Sequence, residues 1–420
     1  MNKILSYLML MCCTYLNAGV SFTYTNASEL NFARHFHQSQ KLNDGRVLVF
    51  GGYDGFLGNP TIYKSCEIYN PASNSWTLGA SMNKARYSHM SVLLNNGYVM
   101  AIGGVTDDDY YATTEIYDPI NNKWELGPTM KNLHYEGAAV KLKDGRVLVA
   151  GGTVETAGSV DIYDPISNEW KEGNPMVKNH GASLTLNLLP SGKVIAIGGK
   201  DASSDIEIFD PASGKWSELD LKTNIYRYHH SSVVLPNGEV LVAGGAGIGA
   251  NYSSVLNIET SELVMFNSME ESNAGSPMVV LDNGNAMIFG LGSIIDYERK
   301  SFQEFNLTTK KWTSSSNSEI GQLGYTIHRL NNGKFLIIGG NFTTGNGATK
   351  RTILVTQGGF ETCSEPILSL ASTATENCYG KDQTITISNS QPGLNYSIWN
   401  SNFSISESHV GTCLLYTSPS

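Results

Sequence analysis

The residues best suited to bind a ligand lie at fixed distances ahead of a series of turn glycines. Counting back from Gly97 or Gly238, an arginine stands eleven residues away and a tyrosine ten residues away. Arginine binds carboxylates through two parallel hydrogen bonds, and aromatic rings stack on the apolar faces of sugars. The spacing therefore predicts one binding surface for a sugar, a carboxylate or a peptide. The candidate ligand-binding residues are Arg34, Arg86, Tyr87, His134, Tyr135, Arg227, Tyr228, His229, Asp54 and Asp107.

Sequence motifs that would mark a common enzyme class are absent. The chain has no H-E-x-x-H zinc motif and no G-x-S-x-G elbow, and its glycine pairs end apolar runs instead of opening a helix. We therefore assign no catalytic residues, and the sequence favours a binding protein while leaving enzymatic activity open. A net charge of −10 disfavours a nucleic acid partner, because an acidic surface repels phosphates.

A repeat of 46 to 52 residues organises the elements that position these residues. Each repeat has an apolar run before the turn glycine, a second run that ends in paired glycines, a third that ends in Tyr or Phe, and a fourth that begins at Trp. Asn-Gly and Asp-Gly favour tight hairpins, and a proline after the third run ends that strand. The turn glycines are Gly45, Gly97, Gly145, Gly192, Gly238, Gly284 and Gly333.

Each repeat is thus a four-stranded meander, which cannot bury both of its faces alone. Seven such sheets packed around an axis bury them, so we predict an all-β fold, a seven-bladed β-propeller. Tyr24 lies 21 residues before Gly45, the distance that separates Trp76 from Gly97. We therefore expect the N-terminal strand around Tyr24 to complete the last blade and close the ring.

Residues 21–357 resemble the kelch-repeat family. The resemblance rests on paired glycines such as Gly103-Gly104, on the third-strand aromatic such as Tyr117, and on the Trp that follows an Asp-Pro turn, such as Trp124. It is weakest in the sixth repeat, to which we assign Leu263 in place of Trp. The family often uses an Arg-x-x-His start of the first strand to satisfy backbone groups between blades. The resemblance therefore implies a structural role for the arginines and histidines, as an alternative to ligand binding.

The segment from Arg227 to Ser231 resembles one in galactose-oxidase-like copper radical enzymes. The resemblance implies that Tyr228 and His229 are copper ligands. That chemistry also needs a second His and a Tyr cross-linked to Cys, and Cys66 and His409 are weak matches for these. We therefore expect no cofactor, with copper as the alternative. A second enzymatic alternative is a kelch-type sugar mutarotase, with Glu136, His134 and Arg86 as acid–base groups.

Both ends of the chain differ from the repeats. Residues 1–18 have the charge, apolar run and small residues of an export signal, and no stretch is apolar enough to span a bilayer. Residues 361–413 resemble a partial Ig-like module, in which we pair Cys363 with Cys378. Residues 414–420 resemble translated adapter sequence, so we expect them to be non-native.

The sequence thus predicts a secreted or cell-surface kelch propeller. We expect it to act as a binding or adhesion module for a glycan or a protein ligand at the mouth of its channel. The alternative is a secreted carbohydrate-active enzyme, either a copper oxidase or a mutarotase. The sequence does not indicate an oligomeric state.

Overall fold

The computed structural model divides the chain into two compact units. One unit is Thr23–Thr356, and the other combines residues 1–22 with 357–420. The structure describes residues 22–357 except 56–59, 107–108, 153–157, 202–205, 222–226, 247–250, 267–268, 270–273, 292–299, 316–321 and 343–346, together with short strands between 370 and 417.

The strands up to residue 357 form seven four-stranded sheets and one two-stranded sheet. In chain order they are β1 (Phe22–Asn26), β2 (Gln38–Lys41), β3 (Val47–Phe50), β4 (Cys66–Asn70), β5 (Ser75–Gly79), β6 (Met90–Leu93), β7 (Val99–Ile102), β8 (Thr114–Asp118), β9 (Lys123–Leu126), β10 (Ala138–Lys141), β11 (Val147–Ala150), β12 (Val160–Asp164), β13 (Glu169–Glu172), β14 (Thr185–Leu188), β15 (Val194–Ile197), β16 (Ile206–Asp210), β17 (Lys215–Glu218), β18 (Ser231–Val234), β19 (Val240–Ala243), β20 (Ser253–Asn257), β21 (Glu262–Phe266), β22 (Met278–Val280), β23 (Ala286–Leu291), β24 (Lys300–Asn306), β25 (Lys311–Ser315), β26 (Gln322–Leu323), β27 (Thr326–Arg329), β28 (Phe335–Ile338), β29 (Asn341–Phe342) and β30 (Thr352–Gln357).

The four-stranded sheets are the blades of a seven-bladed β-propeller. Blades one to six are β2–β5, β6–β9, β10–β13, β14–β17, β18–β21 and β22–β25, each with its strands paired in chain order. The first strands of successive blades contact one another from blade one to blade six, and β2 also contacts β27. Between blades six and seven the contact is made by β23 and β26, so the ring is closed. The predicted all-β propeller with four-stranded blades is confirmed.

Blade seven is assembled from both ends of this unit. Its order is β27, β28, β30 and β1, so the outer strand Phe22–Asn26 comes from the start of the chain. Tyr24, the residue that led us to expect this closure, lies in β1. Pairing the two ends removes an exposed strand edge, which would otherwise be open to another chain.

The second strand of each blade is the most buried. In blade one, all four residues of Val47–Phe50 are buried, because this strand has a neighbouring sheet on both faces. The third and fourth strands add a paired aromatic cluster, in which the Tyr117 and Trp124 rings lie 5.2 Å apart. Each fully buried large apolar side chain contributes about 1.5–3 kcal/mol. The apolar runs of the repeat therefore become the contacts between blades.

Leu263 was assigned to the wrong blade. It lies in β21, the outer strand of blade five, where it pairs with Leu256. Blade six has its own tryptophan, Trp312, paired with Phe305. The fourth strand belongs to the same blade as the turn glycine that precedes it in the chain, whereas the sequence prediction grouped Leu263 with the turn glycine that follows it.

The paired glycines let adjacent blades approach closely. Gly51 has a φ of +68°, and a Cβ there would lie 2.6 Å from the backbone oxygen of Arg86 in the next blade. The amide of Gly52 donates to that same oxygen at 2.9 Å. A side chain at Gly51 would therefore separate the two blades.

Short strands are also described in the second unit. They are β31 (Leu370–Ser372), β32 (Thr384–Ile387), β33 (Asn395–Tyr396), β34 (Trp399–Asn400), β35 (Phe403–Ser404), β36 (His409–Val410) and β37 (Leu415–Thr417). An Ig-like sandwich is not shown by these strands, so that assignment stays a prediction. Cys363, Cys378 and residues 1–18 lie outside the described residues. Across the part of the chain that the structure describes, no helix is long and apolar enough to cross a membrane.

Candidate functional site

Seven equivalent residues form a ring around the entrance to the channel. Each stands nine residues before a turn glycine, where the chain enters the first strand of a blade, and each has a positive φ, between 48° and 71°. A positive φ in a bulky residue such as Phe36 costs energy and commonly marks a functional region. The ring residues are Phe36, Ser88, Glu136, Ser183, His229, Gly275 and Gly324.

Backbone hydrogen bonds connect neighbouring members of this ring. The amides of Phe36, Ser88, Glu136 and Ser183 each donate to the preceding member, from Gly324 to Glu136 in turn, at 2.8 to 3.5 Å. Gly275 donates to His229 at 2.7 Å. In this conformation blades one to five each present one side chain at the entrance, which we call the channel mouth, and blades six and seven have glycine there.

Blades one to three place aromatic rings at the channel mouth. The ring of Phe36 stacks on Tyr53 with centroids 6.0 Å apart, and Tyr53 contacts Tyr87 at 4.7 Å. Tyr110 meets Tyr135 edge-on at 5.4 Å, and Tyr110 is 47% exposed. These five residues are the aromatic patch, in which Tyr53 is buried and the other four rings are at least partly exposed.

Blades three to five place polar groups at the channel mouth. The hydroxyl of Ser183 donates to the Glu136 carboxylate at 3.4 Å. Burial lowers the pKa of the His229 imidazole, and the Glu136 carboxylate opposes this shift. Burial raises the pKa of Tyr135, and Glu136 raises it further. At neutral pH the polar side of the mouth therefore combines an uncharged imidazole with hydroxyl groups and a carboxylate.

The mouth is open on the side of blade six. A Cβ placed on Gly275 would meet no atom within 4 Å, although the residue takes part in the backbone ring. The ring position of blade seven is also a glycine, Gly324. A Cβ at Gly324 would lie 3.2 Å from the backbone nitrogen of Phe36, so among the described residues the free space is beside Gly275.

The arginines and histidines eleven residues before the turn glycines do not face the channel. Arg34 and Arg86 are fully buried and pair with Glu67 at 3.0 Å and Glu115 at 2.9 Å. His134 is likewise buried, with its Nε2 3.0 Å from Asp161. Each side chain is enclosed within its own blade, so in this structure the structural role applies and a ligand at the mouth does not reach them.

Backbone contacts explain why these positions need a long polar side chain. Nη1 of Arg86 donates to the carbonyl oxygens of Gly103 at 2.7 Å and Thr113 at 3.1 Å. These carbonyls lie at the ends of the second and third strands, where the Thr113 carbonyl also accepts from the amide of Gly103 at 3.2 Å. A buried carbonyl without a donor is costly, and the arginine supplies donors at this end of the sheet.

Arg227 occupies the same position in blade five and is 1% exposed. It therefore lies below the mouth as well, but the described residues around it do not include a carboxylate like those beside Arg34 and Arg86. Burial lowers the pKa of Arg227 to about 10.

Tyr87, Tyr135, Tyr228 and His229 remain near the channel mouth and are partly exposed. Asp54 is partly exposed on the loop after β3, where its carboxylate accepts from the amide of Thr61 at 2.8 Å and from the hydroxyl of Tyr63 at 3.1 Å. Asp107 lies outside the described residues. The ligand-binding role of these residues stays a prediction.

Tyr228 and His229, the residues that the resemblance implies as copper ligands, lie near the channel mouth, and copper binding stays a prediction. Tyr228 and His229 lie side by side, with ring centroids 5.2 Å apart. Cys66 lies in the core cluster that also holds Tyr117, where its sulfur is buried and accepts a hydrogen bond from Trp124 at 3.1 Å. Burial raises the pKa of its thiol to about 12. Among the described residues, no group of three or more His, Cys, Asp or Glu side chains could hold a metal ion.

The ring residues were only partly found from the sequence. Of the residues nine positions before a turn glycine, the predicted binding residues include only His229, and Phe36 and Ser183 are not among them. Glu136 was considered only as an acid–base group, and Tyr53 not at all. The same glycine spacing would have found Phe36 and Ser183, but not the positive φ that turns them towards the channel.

A second concave region lies on the opposite face, between the hairpins of blades three and four. It has a volume of about 430 Å³ and is lined by residues such as Lys143, Arg146, Lys193 and Asp210. Arg146 pairs with Asp144 at 2.7 Å, and Lys193 lies 3.7 Å from Asp210. Its charges pair with one another, whereas the channel mouth presents aromatic groups, so we regard the mouth as the candidate site.

Comparison with known proteins agrees with this architecture. The Kelch motif family matches residues 43–83, 86–131 and 137–177, which lie in blades one to three. Kelch-like protein 15 of Homo sapiens is 34% identical over 95 residues, 22% of this chain and 15% of the relative. The Danio rerio protein of that name is 33% identical over 91 residues, 21% of this chain and 15% of its own length. The matched part of this chain thus spans a small fraction of these curated relatives.

A solved structure extends the similarity to most of the chain. A fungal alcohol oxidase of the AA5 family, in complex with copper, superposes with a TM-score of 0.66. The alignment covers 90% of this chain and 85% of that structure at 14% sequence identity. At this sequence identity the comparison shows a shared fold, and it does not assign the activity of the oxidase to this chain.

Proposed function

We propose that this kelch-repeat propeller is a secreted or cell-surface binding module that takes a glycan at its channel mouth. The supporting observation is the aromatic patch of Phe36, Tyr53, Tyr87, Tyr110 and Tyr135, which faces a polar side across the mouth. Kelch propellers are generally binding modules. Export and the glycan ligand are part of the proposal.

The polar groups narrow the chemistry of the ligand. Arg34, Arg86 and Arg227 are buried, so the guanidinium groups that would recognise a carboxylate are not presented to the channel. Glu136 and His229 remain, and both can accept hydrogen bonds from hydroxyl groups. A hydroxyl-rich sugar that stacks one face on the tyrosines therefore suits the mouth better than an acidic ligand.

The experiment is a glycan array probed with the full chain and four variants. Tyr87→Ala removes one ring of the aromatic patch, and Ser88→Trp fills the mouth at a ring position that already carries a side chain. The matched controls lie on the opposite face: Tyr98→Ala in the same blade, and Ile166→Trp at a residue that is 94% exposed.

We expect both mouth variants to bind a selected glycan at least ~10-fold more weakly, because one lost aromatic contact is worth about 1.5 kcal/mol. The controls should bind as the unchanged protein does. Equal binding by all five proteins would show that the glycan does not bind at the channel mouth. If no glycan binds, but peptides on an array bind the unchanged protein and lose affinity for both mouth variants, the protein is a binding module whose ligand is a peptide and not a glycan.

A second candidate function is sugar mutarotation at the same mouth. It is favoured by the carboxylate of Glu136, which shares a hydrogen bond with Ser183 and interacts electrostatically with His229. One group would remove the proton of the anomeric hydroxyl while the other protonates the ring oxygen, which opens the ring. Polarimetry of freshly dissolved α-glucose tests it: Glu136→Gln should lower any catalysed rate at least ~100-fold. A rate equal to that of buffer alone would eliminate this candidate.

A further inference from the structure

A buried base and a buried acid recur inside the first four blades. The base precedes the first strand, and the acid is the second residue of the third strand. The base is an arginine in blades one and two and a histidine in blades three and four. The pairs are Arg34–Glu67 at 3.0 Å, Arg86–Glu115 at 2.9 Å, His134–Asp161 at 3.0 Å and His180–Glu207 at 3.0 Å, with side chains that are 0% exposed.

Each acid also accepts hydrogen bonds from the backbone that leads to its base. Glu115, for example, accepts from the amide of Asn83 at 2.6 Å and from that of Lys84 at 3.0 Å. The carboxylate therefore neutralises the base and satisfies backbone donors at the same time. Such an arrangement keeps a charge stable away from water.

Blade five keeps the base and loses the acid. Arg227 is 1% exposed, and the residue at the position of Glu115 is Ser254, which is 0% exposed. Nη1 of Arg227 donates to the carbonyl oxygen of Tyr252 at 3.3 Å. Among the residues that the structure describes, Nη2 of Arg227 and the hydroxyl of Ser254 have no hydrogen-bond partner.

The difference from the other arginines is located at Nη2. The Nε atoms of Arg34 and Arg86 are also without a partner, so an unpaired Nε is common to all three. In blades one and two, however, Nη2 donates to the carboxylate. Burial of Arg227 acts on its pKa unopposed, whereas Glu67 and Glu115 counteract it for the other two arginines.

Ser254 ends at its hydroxyl group, where a glutamate would continue to a carboxylate. Blade five therefore has a hydroxyl group at the position where blades one and two have a carboxylate beside the guanidinium group. A water molecule could accept a hydrogen bond there but could not neutralise the charge. An anion satisfies both requirements.

We infer that blade five binds a small inorganic monoanion of the chloride class between Nη2 of Arg227 and the hydroxyl of Ser254. The anion replaces the carboxylate that the other blades supply from their own third strands. It is a structural ligand of the blade. It is independent of the glycan proposed above, because neither side chain is exposed at the mouth.

The test uses thermal unfolding of the full chain at pH 7.5 in sodium chloride, with sodium gluconate keeping the ionic strength constant. Gluconate serves as the control anion because it is much larger than chloride. An anion that binds only the native state should raise the Tm by about 2 °C for each tenfold increase above its Kd in a protein of this length. Ser254→Glu supplies the missing carboxylate and should abolish the chloride response.

The converse variant is Glu115→Ser, which copies the arrangement of blade five into blade two. It should destabilise the protein in gluconate and add a second chloride response. Diffraction data from crystals grown in sodium bromide provide a direct readout, with an anomalous peak expected within hydrogen-bond distance of Arg227 Nη2. That readout does not depend on whether either variant folds.

Two results would overturn the inference. One is an equal rise of Tm with chloride in the unchanged protein and in Ser254→Glu. The other is the absence of a bromide peak beside Arg227, which would leave water as the partner of its guanidinium group.

Discussion

The buried pair of Arg86 and Glu115 supports a strong prediction about stability. In the structure Glu115 accepts from Arg86 Nη2 at 2.9 Å and from two backbone amides, and both side chains are 0% exposed. Glu115→Ala leaves a buried guanidinium and two amides without an acceptor. Removing one member of a buried ion pair costs about 3–5 kcal/mol.

We therefore expect Glu115→Ala to lower the Tm by about 4–7 °C, because unfolding entropy scales with chain length. The measurement is thermal unfolding followed by circular dichroism and by tryptophan fluorescence. Coincident transitions show that the blades unfold together, which the comparison requires. A double-mutant cycle with Arg86→Leu should show that the two changes together cost less than their sum, since the double variant leaves no buried charge.

The matched control is Glu125→Ala in the same blade. Glu125 also forms an ion pair, 2.6 Å from Lys123, but the side chains are 66% and 64% exposed. Its loss should leave the Tm within experimental error of the unchanged protein. If Glu115→Ala also left the Tm unchanged, water would have to reach this ion pair, and the structural role assigned to Arg86 would be refuted.

Three further predictions concern acid, packing and the buried thiol. Burial lowers the pKa of His35 to about 4 and that of His230 to about 3, so in the folded state both stay uncharged while the unfolded chain takes up protons below pH 6.5. Stability should consequently fall on acidification, by about 1 kcal/mol per histidine for each pH unit below 6.5, and urea midpoints that stay constant from pH 7.5 to 5.5 would contradict this. Gly51→Ala should lower the Tm by several degrees, because its Cβ would lie 2.6 Å from the backbone oxygen of Arg86; an unchanged Tm would mean that the blades can separate at little cost. Cys66, whose thiol has a pKa raised to about 12, should react with iodoacetamide only after unfolding, and mass spectrometry of its peptide would reveal any labelling of the native protein.

The sequence by itself determined the propeller, because its signals are local. Hairpin glycines such as Gly45, the apolar run that follows, and the cross-strand aromatic and tryptophan each act within one repeat, and seven copies leave one way to bury their faces. Even the closure by β1 could be predicted, since it follows from the spacing between Tyr24 and the first turn glycine. The recurring acids Glu67 and Glu115 in apolar third strands could also have indicated buried partners, because a charge in such a strand needs one.

The tertiary structure alone decided which polar residues face the channel. Positions eleven and nine before a turn glycine are close in sequence, yet Arg86 is enclosed in its blade and Ser88 lines the mouth. The positive φ at position nine turns the chain there, and residues such as Phe36 carry no sequence signal for that conformation. The repeat shows Ser254 where the other blades have an acid, but only the fold places that position beside Arg227, because an entire hairpin separates the two in the sequence.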